Sequence, residues 1–359
     1  MRIAFFSDVF DQLTGVSTHV QNFAELLAER GHDVTLYTQK TPYKPQGYKI
    51  VGLRGMPFFL NKEYKFVLPK FFPQYRIPFD ADVVHAHTPY SVGLLGLWMA
   101  RRHGKPLVTT THTAAKNMTK RRRLERLAWR YLRWFYNKSD RVICQTRATE
   151  EVFRQHGVRS PVTIVSAGID YDFYSKGNAG LFRKKYGFGE FVLSSCRLSH
   201  EKRPEWIMKA CAELNLPVVL TSDGPLRERL ERDYPNARFL GKLSLEDLRN
   251  CYASARLLAL TSAEESEGIA IHEARAAGTP VIASALPCVR EFVHDGIDGF
   301  TFPVGDYGEF KAKLGKLWSD ARLRKKFVPL GRKEAASRDL KACVKKLEGV
   351  YGELCSGRS

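Results

Sequence analysis

In this 359-residue chain, residues 261–283 hold the residue types and spacing that could do chemistry. An apolar run ends at Thr261. A turn dense in carboxylates (Glu264, Glu265, Glu267) follows, and Gly268 then opens an alanine-rich segment ending at Gly278. A glycine at a helix start lets backbone N–H groups approach a phosphate closely, and the helix dipole favours the anion. Glu273, about a turn further on, is placed to accept paired hydrogen bonds from ribose hydroxyls, as acidic residues do in dinucleotide sites. The glutamates would repel a bare anion, so they fit contacts to sugar hydroxyls. The plainer alternative, an acidic surface loop ahead of a core helix, fits this combination poorly.

Such a turn needs strands to hold it. Residues 2–7, 33–38, 83–86, 106–111, 142–145 and 162–165 read as short apolar strands. Amphipathic helices are expected over 16–30, closed by Gly31, and over 90–103. The pattern breaks at the polar, aromatic loop 168–177 and restarts, with strands expected at 191–195, 218–221, 239–241, 257–261, 281–283 and 299–303 and a helix over 203–214. Strands alternating with helices imply parallel βαβ units. The fold class is therefore α/β, with two Rossmann-like, doubly wound parallel sheets facing a cleft. The expected division is 1–172, 173–335, and a tail, 336–359, packing back on the first domain. Leu340, Val344, Leu347, Val350, Tyr351 and Leu354 give that tail an apolar helical stripe.

Composition narrows the classes. No apolar run reaches the roughly 20 residues of a spanning helix. The N-terminus meets Asp8 too early for a signal peptide. Seven scattered cysteines form no C-x-x-C pair or metal spacing and read as reduced thiols of a cytoplasmic protein. The net charge of +19 divides as +12 over 1–172 and +7 over the rest. Charge alone does not choose among nucleic acid, anionic lipid and phosphorylated substrates.

The 261–283 stretch resembles the E-x7-E signature of the retaining glycosyltransferases of family four, with Glu265 and Glu273 as its carboxylates. The resemblance covers nearly the whole chain and implies a GT-B fold whose C-terminal domain holds most of a nucleotide-diphosphate sugar. The family usually places an aromatic residue where this sequence has Glu267. Residues 196–204 are similar to the family's G-R-L-x-x-x-K-G/N loop, in which Arg197 and Lys202 would neutralise the diphosphate. Fixed cations there stabilise the charge that grows on the leaving group. Asp223-Gly224-Pro225-Leu226 resembles the G-D-G-P turn, and 239–243, ending in Leu243, the segment that reads the nucleobase. Gly15 matches the second glycine of the family's Gly-Gly loop near the diphosphate. The resemblance also implies that His112, at a strand end, touches the transferred sugar, and that Gly268 and Ile269 seat the phosphate. No metal or other cofactor is expected. Asp170-Tyr171-Asp172 spells D-x-D but falls in the interdomain loop and reads as structural.

The first half also holds a basic helix. Residues 116–138 contain nine basic residues and one acid, Glu125. Leu124, Leu127, Ala128, Tyr131, Leu132 and Phe135 follow helical spacing there, flanked by Trp129 and Trp134. A basic amphipathic helix with tryptophan suits an anionic membrane surface. Lys120, Arg121, Arg122, Arg123, Arg126, Trp129, Arg130, Arg133 and Trp134 are the expected membrane and acceptor residues. Phe58, Phe59, Phe66, Phe71 and Phe72 could add a lipid-facing patch. Together with 87–96 and the strand end at Thr111-His112-Thr113, this region resembles the diacylglycerol glycosyltransferase branch. The expected activity is metal-independent, retaining transfer of a hexose to a membrane lipid such as diacylglycerol or a phospholipid, peripherally on the inner membrane face. A soluble or polysaccharide acceptor is the alternative. A nucleotide-sugar epimerase and a nucleic-acid-binding protein are more distant ones, and no nucleic-acid partner is expected.

Overall fold

The computed structural model describes residues 1–10, 15–53, 56–58, 61–66, 79–112 and 122–357. The chain divides into two compact units, Met1–Ser166 with Lys341–Ser359, and Ala167–Leu340. The expected division was 1–172, 173–335 and 336–359.

The first unit is built on β1 (Arg2–Phe6), β2 (Asp33–Gln39) and β3 (Lys49–Leu53), then the short antiparallel ribbon β4 (Met56–Phe58) and β5 (Asn61–Phe66). It continues with β6 (Val83–Ala86), β7 (Leu107–Thr110), β8 (Arg141–Cys144) and β9 (Val162–Ile164). Seven strands pair in parallel in the order β3-β2-β1-β6-β7-β8-β9. The central strands are buried along their whole length because helices cover both faces of a parallel sheet. All four residues of β6 and of β7 are buried. The edge strand β3 is absent from the sequence reading. Its five residues mix Lys49 and Gly52 with three apolar side chains, too little for a period to show. The tail helix Leu340–Ser356 buries Val344, Leu347, Val350 and Tyr351. Its Tyr351 hydroxyl lies 2.6 Å from Nδ1 of His85 on β6, and its Glu348 pairs with Arg30 at 2.7 Å.

The second unit contains β10 (Val192–Ser195), β11 (Val218–Thr221), β12 (Arg238–Gly241), β13 (Leu257–Leu260), β14 (Val281–Ser284) and β15 (Phe300–Phe302). Its parallel order is β12-β11-β10-β13-β14-β15. In each sheet successive strands first run one way and then the other, so the order reverses between β1 and β6 and between β10 and β13. Loops leaving the carboxyl ends of strands at such a reversal diverge and leave a crevice for a ligand.

Candidate functional site

At the reversal in the second unit, the loop after β10 meets the loop after β13. Lys202, from the first, places Nζ 2.6 Å from Oε1 of Glu265, from the second. Ser262 Oγ donates to the same oxygen over 2.8 Å. Backbone links tie the loops. Thr261 Oγ1 donates to the carbonyls of Lys202 and Arg203 at 3.1 and 2.7 Å, and the Ala263 N–H donates to the Glu201 carbonyl at 2.7 Å. Burial opposes the charge on Lys202, but Glu265 outweighs it and raises the ammonium pKa above its ordinary value. Arg197 lies exposed on the same loop, and among the described residues it makes no ion pair. The two cations therefore differ: Lys202 is held by Glu265, whereas Arg197 is open to an anion.

Arg203, just after Lys202, has φ 48° and ψ 46° and precedes the helix Pro204–Glu213. This left-handed conformation explains why glycine or asparagine stands here in the pattern the loop resembles, since a side chain costs about 1–2 kcal/mol in it.

Gly268 (φ 85°) precedes the helix Ile269–Ala277, and a side chain there would be strained and crowd Ile271. The buried glycine delivers the first N–H groups of the helix, with Ile269 and Ala270 half-buried, to the crevice side. Glu273 follows one turn on. Tyr174 Oη donates to its Oε1 and Tyr252 Oη to its Oε2, both over 2.7 Å. Burial raises the Glu273 carboxyl pKa above the usual carboxylate range, and the two phenols pull it partly back. Each oxygen keeps a lone pair for a ligand hydroxyl. Sequence reasoning missed both tyrosines. Tyr174 falls in the short helix Tyr171–Ser175 and Tyr252 in the helix Leu245–Ser254, with no local pattern linking either to residue 273. Asp170 caps the first of these helices by accepting from the Phe173 N–H at 2.9 Å, so that D-x-D begins with a structural cap.

Glu267 corrects the expectation that the glutamates of this turn contact sugar hydroxyls. Its side chain is 3% exposed, and it accepts from the Ala167 N–H at 2.9 Å and from Arg338 at 3.3 Å. Arg338 also donates to Glu334 and stacks over Phe292 at 4.9 Å. The carboxylate that replaces an aromatic here turns inward and finds a cation rather than facing the crevice. Leu243, after β12, is half-buried.

The reversal in the first unit is organised by Asp8. Its carboxylate accepts from Thr88 Oγ1 and Ser91 Oγ at 2.6 Å and from the Val92 and Gly93 N–H groups at 2.8 and 3.3 Å. It thus caps the helix Ser91–Arg102. Burial raises its carboxyl pKa, and these donors oppose the rise. A Cβ on Gly93 would lie 1.7 Å from the Thr88 carbonyl oxygen, so only glycine fits. Gly15 starts the helix Gly15–Glu29 in open space. His112, two residues past β7, is half-buried, with Nδ1 3.0 Å from Gln145 Nε2. Burial, then His19 and His85, hold its imidazole pKa well below the ordinary value, so it is neutral. His19, His87 and His112 bring ring nitrogens within 4.8 Å of one another, the one group among the described residues with metal-ligating atoms that close.

The basic segment forms the helix Arg122–Tyr136. Trp129 is only 8% exposed and stacks on His156 at 3.7 Å, which corrects its expected lipid-facing role. Leu127 and Trp134 are exposed instead, at 61% and 46%. Arg126, Arg130 and Arg133 are exposed as well. Lys120 and Arg121 lie outside the described residues, as do Phe59, Phe71 and Phe72. No described helix is long and apolar enough to cross a membrane, and all seven cysteines are free.

Known proteins resemble the chain along nearly all of it. Residues 13–173 match the family model Glycosyltransferase Family 4, and residues 182–334 match Glycosyl transferases group 1. The alpha-monoglucosyldiacylglycerol synthase of Streptococcus pneumoniae is 27% identical over 338 residues, 86% of this chain and 76% of that protein. The sulfoquinovosyl transferase SQD2 of Arabidopsis thaliana is 24% identical, over 96% of this chain and 72% of its own. Anabaena HepE, solved in complex with UDP-glucose, superposes with a TM-score of 0.80 at 19% identity, covering 99% of this chain and 100% of the other. Two parallel-sheet units of this kind, each opening at its strand-order reversal, are those of the GT-B fold, and the chain belongs to glycosyltransferase family 4.

Proposed function

We propose that the enzyme transfers a hexose, with retention of anomeric configuration and without a bound metal, from a nucleotide-diphosphate sugar to a membrane lipid such as diacylglycerol. The observation that carries the donor half is the convergence at one strand-order reversal of Arg197, Lys202, the Gly268 helix start and Glu273. Exposed Arg197 and the N–H groups of Ile269 and Ala270 take the diphosphate. Glu273, aligned by two phenols, accepts from the ribose hydroxyls. Glu265 holds Lys202 beside the phosphates and offers its remaining lone pairs to the sugar. In the first unit, neutral and half-buried His112 offers a ring nitrogen to a substrate hydroxyl. As the sugar–phosphate bond breaks, negative charge grows on the departing diphosphate, and cations already in place stabilise it without reorganisation.

The acceptor half rests on the helix Arg122–Tyr136, with exposed leucine, tryptophan and arginine, and on similarity to a synthase whose name specifies a glucosylated diacylglycerol. The test is incubation of the enzyme with labelled UDP-glucose, and in parallel other nucleotide hexoses, over diacylglycerol in mixed micelles with EDTA present. Label should enter the organic phase as an α-linked glycolipid. Label that enters only water-soluble product would move the acceptor to a soluble compound. A β-linked product would refute retention, and loss of turnover in EDTA would refute metal independence.

A further inference from the structure

The helix Arg122–Tyr136 forms one wall of a cavity of about 470 Å³ in the first unit, lined by Glu125, Arg126, Trp129, Arg130, Arg133 and His156. Three of these six residues are guanidinium groups, and among the described residues none of the three makes an ion pair. Surface arginines usually find carboxylates, and Glu125 alone would leave an excess of two positive charges here. The floor is ordered: the Trp129 indole stacks on the His156 imidazole at 16° between planes, and packs edge-on against Phe153. His156 in turn is fixed by Nδ1, which lies 2.7 Å from the Val152 carbonyl oxygen. Gly157 (φ 85°) makes room for Arg133: a Cβ there would lie 2.8 Å from the arginine Cδ. The arginine stems and the two rings therefore form an apolar wall beneath a ring of planar donors. That combination matches a phosphate oxygen cluster carried on an apolar body.

Helical spacing decides the source of the phosphate. At about 100° per residue, Arg133, Arg126 and Arg130 occupy one exposed arc, and Trp134 and Leu127 the arc beside it. A nucleic acid can stack a base on the exposed tryptophan, but it has no group that matches the still more exposed leucine beside it. A bilayer places phosphates and acyl chains at this short distance, with the helix lying in the interface. We propose that this cavity binds the headgroup phosphate of an anionic phospholipid, holding the enzyme by a specific site rather than by surface charge alone. The proposal rests on the membrane reading above and goes beyond it, because a diffuse basic surface does not distinguish one anion from another.

The experiment compares partitioning of the full chain onto phosphatidylcholine vesicles doped with phosphatidylglycerol or, at matched surface potential, with oleate. The wild-type protein should favour phosphatidylglycerol about tenfold. Arg126→Gln and Arg130→Gln should each abolish that preference, while Lys138→Gln, outside the cavity, should lower binding to both vesicles alike and keep it. Circular dichroism confirms that each variant is folded. Equal partitioning of the wild-type protein onto the two anionic vesicles overturns the phosphate site and leaves the membrane reading standing. Binding to neither overturns both. Release from vesicles by millimolar glycerol phosphate would assign the cavity to a soluble phosphate, and release by RNA, weakened in the same variants, to a nucleic acid.

Discussion

The phenol of Tyr252 donates to Oε2 of Glu273 over 2.7 Å while lying 2.9 Å from Ser195 Oγ at the end of β10. A residue on one helix thus orients the carboxylate of another and ties it to the strand that carries the phosphate loop. Tyr252 is a positioning residue, and Tyr174 plays the same part at Oε1.

Removing either phenol should weaken donor binding in a pH-dependent way. Burial raises the Glu273 carboxyl and the phenols counter it, so Tyr252→Phe or Tyr174→Phe raises it further. The ionised form is the better acceptor from ribose. KM for the donor should therefore rise as pH falls, and the rise should begin at higher pH in the variants, with kcat nearly unchanged. KM profiles that superpose on the wild type would reduce the tyrosines to packing.

Glu273→Gln should separate stability from binding. A carboxyl raised above its unfolded value of 4.5 contributes stability that is present below that pH and is lost as pH rises through the folded value. The variant lacks this loss. At neutral pH it should match the wild type or exceed it by about 1 kcal/mol in urea unfolding, while donor binding falls by tenfold or more.

Removing Arg338 should cost about 3 kcal/mol, because Glu267 is left buried without its cation, whereas Arg338 keeps Glu334 when Glu267 is removed. Glu267→Phe, which installs the aromatic of the family pattern, leaves the Ala167 N–H without its acceptor and should destabilise too. Glu267→Gln with Arg338→Met should recover part of the loss. A double-mutant cycle with no coupling would refute the pairing.

Two backbone positions should respond in opposite directions. Arg203→Gly relieves a left-handed conformation but gives up the guanidinium over Trp206, so the net gain should be about 0.5–1 kcal/mol, read as a small rise in Tm. Gly93→Ala would drive a methyl group into the Thr88 carbonyl and open the Asp8 cap, costing at least about 3 kcal/mol.

Lys202→Ala should lower kcat about 10²–10³-fold, the scale of losing one charge-stabilising donor at a reacting centre. Arg197→Ala should act more on KM, since Arg197 is exposed and has no side-chain anchor comparable to the Lys202–Glu265 link. Equal effects on both parameters from both variants would contradict the distinction between a held and an open cation.

The sequence determined whatever depends on local order. Short apolar strands between helices implied two parallel sheets, because helices on both faces leave central strands such as Val83–Ala86 and Leu257–Leu260 no exposed side. The spacing around Gly268 and the order of Arg197 and Lys202 marked the loops where a nucleotide sugar belongs, since a helix start and strand-end cations are local features. Tertiary structure decided the rest. No interval in the chain says that Glu267 reaches Arg338, 71 residues away, or that Tyr174 reaches Glu273 across 99. Trp129 carried the signature of an interfacial residue, yet it turns inward because His156 and Phe153 lie beneath it. A carboxylate or an indole is used according to what the fold brings within about 3–4 Å of it, and that is set by the crossing of elements distant in sequence.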